Sequence, residues 1–102
     1  MKKTKDKDYK KSMEKTIDNY GQVQLLIACE EMGELIQAIS KMERAAFSKA
    51  NKDKLKNHIV EEIADVLIIL DELLLYYGID VEEVDKAKNM KIARLKKRAK
   101  LM

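Results

Sequence analysis

Apolar residues recur every three to four positions along most of the chain, which is the spacing of an amphipathic α-helix. The pattern predicts four helices, over about 9–19, 22–46, 55–77 and from 81 into a basic tail. The first eight residues are too polar to pack and are expected to fray, and residues 47–54 are expected to form a loop. A chain of 102 residues suffices for one domain with a modest core. We therefore predict a single all-α domain over residues 1–102, a four-helix bundle that ends in a basic helix over 86–102.

Capping residues mark the predicted helix ends. A glycine follows the last periodic residue of the first and third helices, as C-terminal stops do, at Gly21 and Gly78. Asn51 or Asp53 can cap the third helix. Asp80 followed by Glu83 has the spacing of a capping box for the fourth helix.

Composition agrees with this fold and indicates where the protein works. The chain has no proline, 46% apolar residues and 38% charged residues, a mix typical of helical proteins. Its single cysteine, Cys29, cannot form an internal disulfide. The basic N-terminus is not followed by the apolar run of a signal peptide. The longest apolar stretch, residues 63–77, contains three acids and is shorter than the roughly 20 residues of a membrane span. These features predict a soluble, cytoplasmic protein with no membrane partner.

Charge is distributed unevenly along the chain. Residues 1–11 carry six lysines and two acids, and residues 12–85 carry seven basic side chains and sixteen acids. Residues 86–102 carry eight basic side chains and no acid. An acidic centre attracts metal cations, whereas basic ends attract phosphates, including those of nucleic acids. Charge alone therefore leaves both a nucleotide and a nucleic acid open as ligands.

Two pairs of carboxylates lie on otherwise apolar stripes of the second and third helices. Glu31 and Glu34 share one face of the second helix, and Glu62 and Asp65 share one face of the third. The short loop between the helices favours antiparallel packing, which lets the pairs face each other. Four carboxylates at close range repel unless they are protonated or bind a divalent cation. Oxygen ligands without cysteine suit Mg²⁺, with Mn²⁺ as a substitute, better than zinc.

A solvated acidic surface is the alternative for each pair, because glutamate is a good helix former and E-x-x-E spacing is common on helix surfaces. Two such pairs on consecutive helices, each among apolar neighbours, favour the metal site.

The same residues resemble a known family. The segment "EEMGE" (30–34) followed by "EIAD" (62–65) is similar to the EExxE…ExxD signature of the MazG-like all-α nucleoside triphosphate pyrophosphohydrolases. The resemblance extends through "VLIILDELLLYYGID" to "VDKAKNMKIARLKKR" and covers roughly residues 17–98. It implies a MazG-like fold and Mg²⁺-dependent hydrolysis of a nucleoside triphosphate. In that reaction water attacks the α-phosphorus, and the monophosphate and pyrophosphate are released.

By this resemblance, the expected metal ligands are Glu31, Glu34, Glu62 and Asp65. Glu30 is expected to lie behind the ligands or to orient water. Either Glu34 or Glu30 is the expected general base, and the sequence does not choose between them.

The resemblance also implies substrate contacts. Lys88, Lys91 and Arg94 on the fourth helix are expected to bind phosphate oxygens, Arg94 with its fork of donors. A solvated basic tail is the alternative for each of them. Gln24, on the same stripe as Glu31, is expected to contact the base or the sugar.

His58 lies one turn before Glu62 on the same stripe. It can be a metal ligand or a substrate contact, but a surface position or a place behind the ligands is favoured. A di-iron bundle would need Glu-x-x-His on two helices, whereas this chain has one histidine in the wrong order.

The helices carry more apolar residues than one small bundle can bury. The third helix is apolar on nearly all sides over residues 66–75, which predicts a homo-oligomer, either a dimer or a tetramer. The resemblance implies the same, with sites near subunit interfaces.

Two other functions remain open at this point. One is a helical nucleic-acid-binding or regulatory protein that uses the basic ends, although the chain lacks an obvious helix-turn-helix or aromatic platform. The other is an inactive structural oligomer, which leaves the four carboxylates unexplained.

Overall fold

The computed structural model describes residues 6–47 and 51–99. Those ranges contain four α-helices, one short 3₁₀ turn over Ala45–Phe47 and no strand. The α-helices are α1 (Lys7–Tyr20), α2 (Gln22–Arg44), α3 (Lys52–Tyr77) and α4 (Val81–Arg98). The prediction of an all-α fold with four helices is confirmed.

Side-chain caps explain why two helices begin earlier than predicted. The Asp6 carboxylate accepts two backbone N–H groups at 3.0 and 3.1 Å, so α1 begins at Lys7 within the segment expected to fray. Residues 1–5 of that segment lie outside the described residues. Asn51 caps α3 in the same way, at 3.0 and 3.2 Å, and α3 begins three residues before the predicted start. Asn51 is therefore the cap that the sequence left undecided.

The helix ends follow the predicted glycine and capping-box signals. Gly21 and Gly78 have φ values of 51° and 64°, a region that L side chains rarely adopt. α2 ends two residues earlier than predicted because the chain tightens into the 3₁₀ turn. Asp80 and Glu83 form the predicted capping box at the start of α4.

α2 and α3 form the main packing pair and run antiparallel. Gln24 of α2 contacts Glu72 of α3, whereas Glu31, two turns later, lies beside Asp65 and Glu62. Residues later in α2 therefore contact residues earlier in α3, as antiparallel helices do. This order brings the acidic stripes of the two helices together, as the short connection predicted.

The buried core of the described residues is small. Its apolar members are Met13, Ala28, Ala38, Ala45 and Ile69. Met13 is the buried residue of α1, which contacts both α2 and α3, whereas α4 has no buried residue over Val81–Arg98. Close packing thus joins α1, α2 and α3, whereas α4 makes few contacts with them. None of the described helices is long and apolar enough to cross a membrane.

Candidate metal centre

Carboxylates from α2 and α3 converge at one point between these helices. Glu31, Glu62 and Asp65 each bring one oxygen within 4.8 Å of the others, and we call these three residues the acidic cluster. Glu62 and Asp65 are three residues apart, which places them on one side of α3. Antiparallel packing then sets that side against Glu31.

Two oxygens of the acidic cluster are buried and unsatisfied. Oε2 of Glu31 and Oε2 of Glu62 accept no hydrogen bond from the residues that the structure describes. An unpartnered buried carboxylate oxygen is costly, so the site favours either a proton or a bound cation. Three oxygen donors without sulfur or nitrogen fit Mg²⁺ or Mn²⁺. The donor set and its unpartnered oxygens therefore suit the predicted metal.

The electrostatics of Glu31 reflect this crowding. Desolvation is the largest of the causes that raise the pKa of Glu31 above its ordinary value of 4.5. The negative charges of four neighbouring carboxylates raise it further, those of Glu34, Asp65, Glu62 and Glu30. Glu31 thus holds a proton more tightly than an isolated glutamate, and a cation at the acidic cluster would compete with that proton.

Glu34 and Glu30 lie at the rim of the acidic cluster. Both are exposed, and the charge of each acts on Glu31. Glu34, expected to be the fourth ligand, is not among the three residues whose oxygens converge. Its place at the rim leaves it accessible to water. Its roles as ligand and base remain predictions.

His58 contacts the acidic cluster from its own helix. Its Nε2 lies 3.2 Å from Oε1 of Glu62, one turn later on α3. The side chain of His58 is 40% exposed, whereas that of Glu62 is 11% exposed. The imidazole therefore lies between solvent and a buried carboxylate.

Two hydrogen bonds beyond the acidic cluster fix α3 against its neighbours. Gln24 Nε2 donates to Glu72 Oε2 at 2.6 Å, and the Tyr9 hydroxyl donates to Asp71 Oδ2 at 2.8 Å. Gln24 is buried, and its amide already has Glu72 as a partner inside the subunit. Burial and the bond to Asp71 raise the pKa of Tyr9 well above its usual value. The sequence signals these two bonds only by the adjacent acids Asp71 and Glu72, which interrupt the apolar stretch over residues 63–77.

The predicted phosphate ligands all lie on α4 and are exposed. Lys91 and Arg94 line one open cleft along this helix, and Lys88 and Lys91 line another. α4 makes fewer contacts with α2 and α3 than these two helices make with each other.

The comparisons with known proteins give one match. The family model of the MazG nucleotide pyrophosphohydrolase domain matches residues 21–99. No curated protein and no solved structure matches the chain. The matched range contains the acidic cluster and the α4 cations and omits all of α1.

Proposed function

Because the chain belongs to the MazG nucleotide pyrophosphohydrolase domain family, we propose that it hydrolyses nucleoside or deoxynucleoside triphosphates in a Mg²⁺-dependent reaction. The products are the monophosphate and pyrophosphate. The observation that carries this proposal is the acidic cluster, where three carboxylates converge and two of their oxygens are buried without a partner.

The ligand set that we propose is the acidic cluster together with Glu34. Glu31 and Glu62 would each contribute an unpartnered buried oxygen. Asp65 is exposed and would contribute a carboxylate oxygen that is more open to solvent. A divalent ion bound there polarises phosphate oxygens and lowers the pKa of water. Mn²⁺ would serve as a substitute because it takes the same hard oxygen ligands.

A carboxylate at the rim would accept the proton of the attacking water. Glu34 and Glu30 are both exposed beside the acidic cluster, and either can take this role. As the water oxygen bonds to the α-phosphorus, the bond from that phosphorus to the bridging oxygen breaks. Pyrophosphate then leaves with the electron pair, and the proton remains on the glutamate.

The exposed cations of α4 would bind the phosphates that the metal leaves uncompensated. Lys88, Lys91 and Arg94 supply charge, and Arg94 can hold two oxygens at once. Gln24 would contact the base or sugar through its carbonyl oxygen or its second amide hydrogen, since one Nε2 hydrogen already goes to Glu72.

We also propose that the protein is a homo-oligomer, a dimer or a tetramer. Val60, Ile63 and Leu67 recur at spacings of three and four and are 57%, 45% and 52% exposed. This apolar stripe lies on the side of α3 away from Glu62. A second copy covering it would remove an exposed apolar surface of the kind that marks interaction sites. The exposed α4 cations could then meet the acidic cluster of another subunit. Light scattering that gave the mass of a single chain would overturn this part of the proposal.

Pyrophosphate release tests the reaction. The purified protein would be assayed with a panel of canonical and modified NTPs and dNTPs, with MgCl₂ and with EDTA. We expect Mg²⁺-dependent release of pyrophosphate and monophosphate, lost in Glu62→Gln. Glu61→Gln is the matched control, because it removes the same charge from an exposed neighbour outside the acidic cluster. Absence of release from every nucleotide, with the protein folded and oligomeric, would refute the activity.

One observation favours a second candidate function. All seven basic residues of α4 are exposed, and α4 has no buried residue. A nucleic acid could bind this helix through its phosphates. Such binding would occur without Mg²⁺ and weaken steeply with salt. Fluorescence anisotropy with labelled DNA and RNA in EDTA distinguishes it from the pyrophosphohydrolase.

A further inference from the structure

The contact between His58 and Glu62 joins an exposed imidazole to a buried carboxylate. His58 Nε2 lies 3.2 Å from Glu62 Oε1, and the residues are one helical turn apart on α3. Nε2 can donate a hydrogen in one neutral tautomer of the ring and also in the imidazolium. The Nε2 atom therefore lies within hydrogen-bonding distance of Glu62 Oε1.

The two oxygens of Glu62 differ in consequence. Oε1 faces the imidazole, whereas Oε2 is buried and accepts no hydrogen bond from the described residues. A carboxylate held at one oxygen can present the other in a fixed direction. Groups that orient a metal ligand in this way tune the affinity of the site.

We propose that His58 is a positioning residue that holds Glu62 by Oε1 and leaves Oε2 for the divalent ion. This inference rests on the proposed metal site. His58 acts through Glu62 and is not itself a ligand, since among the described residues the convergent donor atoms belong to Glu31, Glu62 and Asp65. An oxygen-only donor set also agrees with Mg²⁺, which prefers oxygen to imidazole nitrogen.

Metal binding without substrate tests this role. Mg²⁺ would be titrated into the wild type, His58→Ala and His58→Gln, with calorimetry and the rise in Tm as readouts. Removing a residue that orients a metal ligand costs typically 10–100-fold in metal affinity. Because His58 is partly exposed, we expect about a tenfold loss for His58→Ala, at the lower end of this range. His58→Gln keeps an N–H donor at a similar reach and should recover most of the affinity.

Two controls separate positioning from a general effect on the fold. Asn57→Ala changes an exposed neighbour on α3 and should leave Mg²⁺ affinity unchanged. The Tm of each variant in EDTA reports any loss of helix stability, which is distinct from the Mg²⁺-dependent rise.

The outcomes distinguish this inference from the proposed function. If the wild type binds Mg²⁺ and His58→Ala binds it equally well, the positioning role is refuted and the metal site stands. Equal losses in His58→Ala and His58→Gln would also refute it, because the donor would then be irrelevant. If the wild type binds no Mg²⁺, the proposed function fails and the role of His58 fails with it.

Discussion

Replacing Glu62 by glutamine should stabilise the metal-free protein and abolish its response to Mg²⁺. The substitution keeps the size of the side chain and the Oε1 acceptor that contacts His58. It removes one negative charge from the acidic cluster. Glu31 and Asp65 then each lose one repelling neighbour, and the new amide can donate a hydrogen bond to either of them.

The distances within the acidic cluster set the magnitude of this effect. Two unit charges 4.8 Å apart repel by about 1 kcal/mol in a medium like water and by about 3 kcal/mol at an effective dielectric constant of 20. Asp65 is exposed, which favours the lower figure. We expect the free energy of unfolding in EDTA to rise by about 1–2 kcal/mol. Each kcal/mol corresponds to about 4–8 °C in Tm for a domain of up to 100 residues.

Urea denaturation followed by circular dichroism measures this change. Each protein would be unfolded in EDTA and in MgCl₂, at one protein concentration, because an oligomer's stability depends on concentration. Glu61→Gln supplies the control for a change in net charge. A loss of stability for Glu62→Gln in EDTA would refute the repulsion that we infer. An equal gain for Glu61→Gln would show that the effect is not specific to the acidic cluster.

Three further predictions concern pH, a partly buried hydrogen bond and a helical glycine. The pKa of Glu31 is raised on folding, so protonation of Glu31 stabilises the folded state. This stabilisation is complete below pH 4.5, the ordinary pKa of glutamate, and is lost as the pH rises through the folded pKa. The Tm in EDTA should therefore fall with pH over this range in the wild type and less in Glu31→Gln. Tyr9→Phe should lower the free energy of unfolding by about 1–2 kcal/mol in urea at pH 7, since Asp71 loses its donor. This difference should shrink above pH 10, where the unfolded tyrosine ionises before the folded one. Gly33→Ala should raise the free energy of unfolding by about 0.5–1 kcal/mol, because a Cβ there meets no atom within 4 Å. A lower value in urea denaturation would show that this space is filled in solution.

Local chemistry explains which parts of the fold could be predicted from the sequence. The Asp80–Glu83 capping box and the stops at Gly21 and Gly78 depend on neighbouring residues, so short sequence patterns specify them. The acidic cluster was also predictable, because helical spacing fixes the face of each carboxylate and a short loop fixes the antiparallel order.

Features that depend on tertiary packing were not predictable in the same way. Tyr9 and Asp71 are separated by 62 positions, and no periodicity connects them. Helical spacing also predicted that Glu34 and Glu31 are both metal ligands. In the structure, Glu31 has an oxygen close to those of Glu62 and Asp65, and Glu34 is not part of this group. The choice depends on where α3 lies against α2. The sparse contact between α4 and the other helices likewise depends on packing that helical periodicity does not describe.

The corner between α3 and α4 makes the protein sensitive to changes in chain length. The N–H of Gly78 donates to Leu75 and that of Ile79 to Leu74, and Asp80 then caps α4. Residues 74–83 thus set the direction of α4, which makes few contacts with the other helices. Each residue turns an α-helix by about 100°. A single insertion within the first turn of α4 would therefore rotate every later cation by that angle relative to the acidic cluster. Surface connections usually tolerate insertions. We expect an insertion in this connection to impair function instead, because it would move the α4 cations.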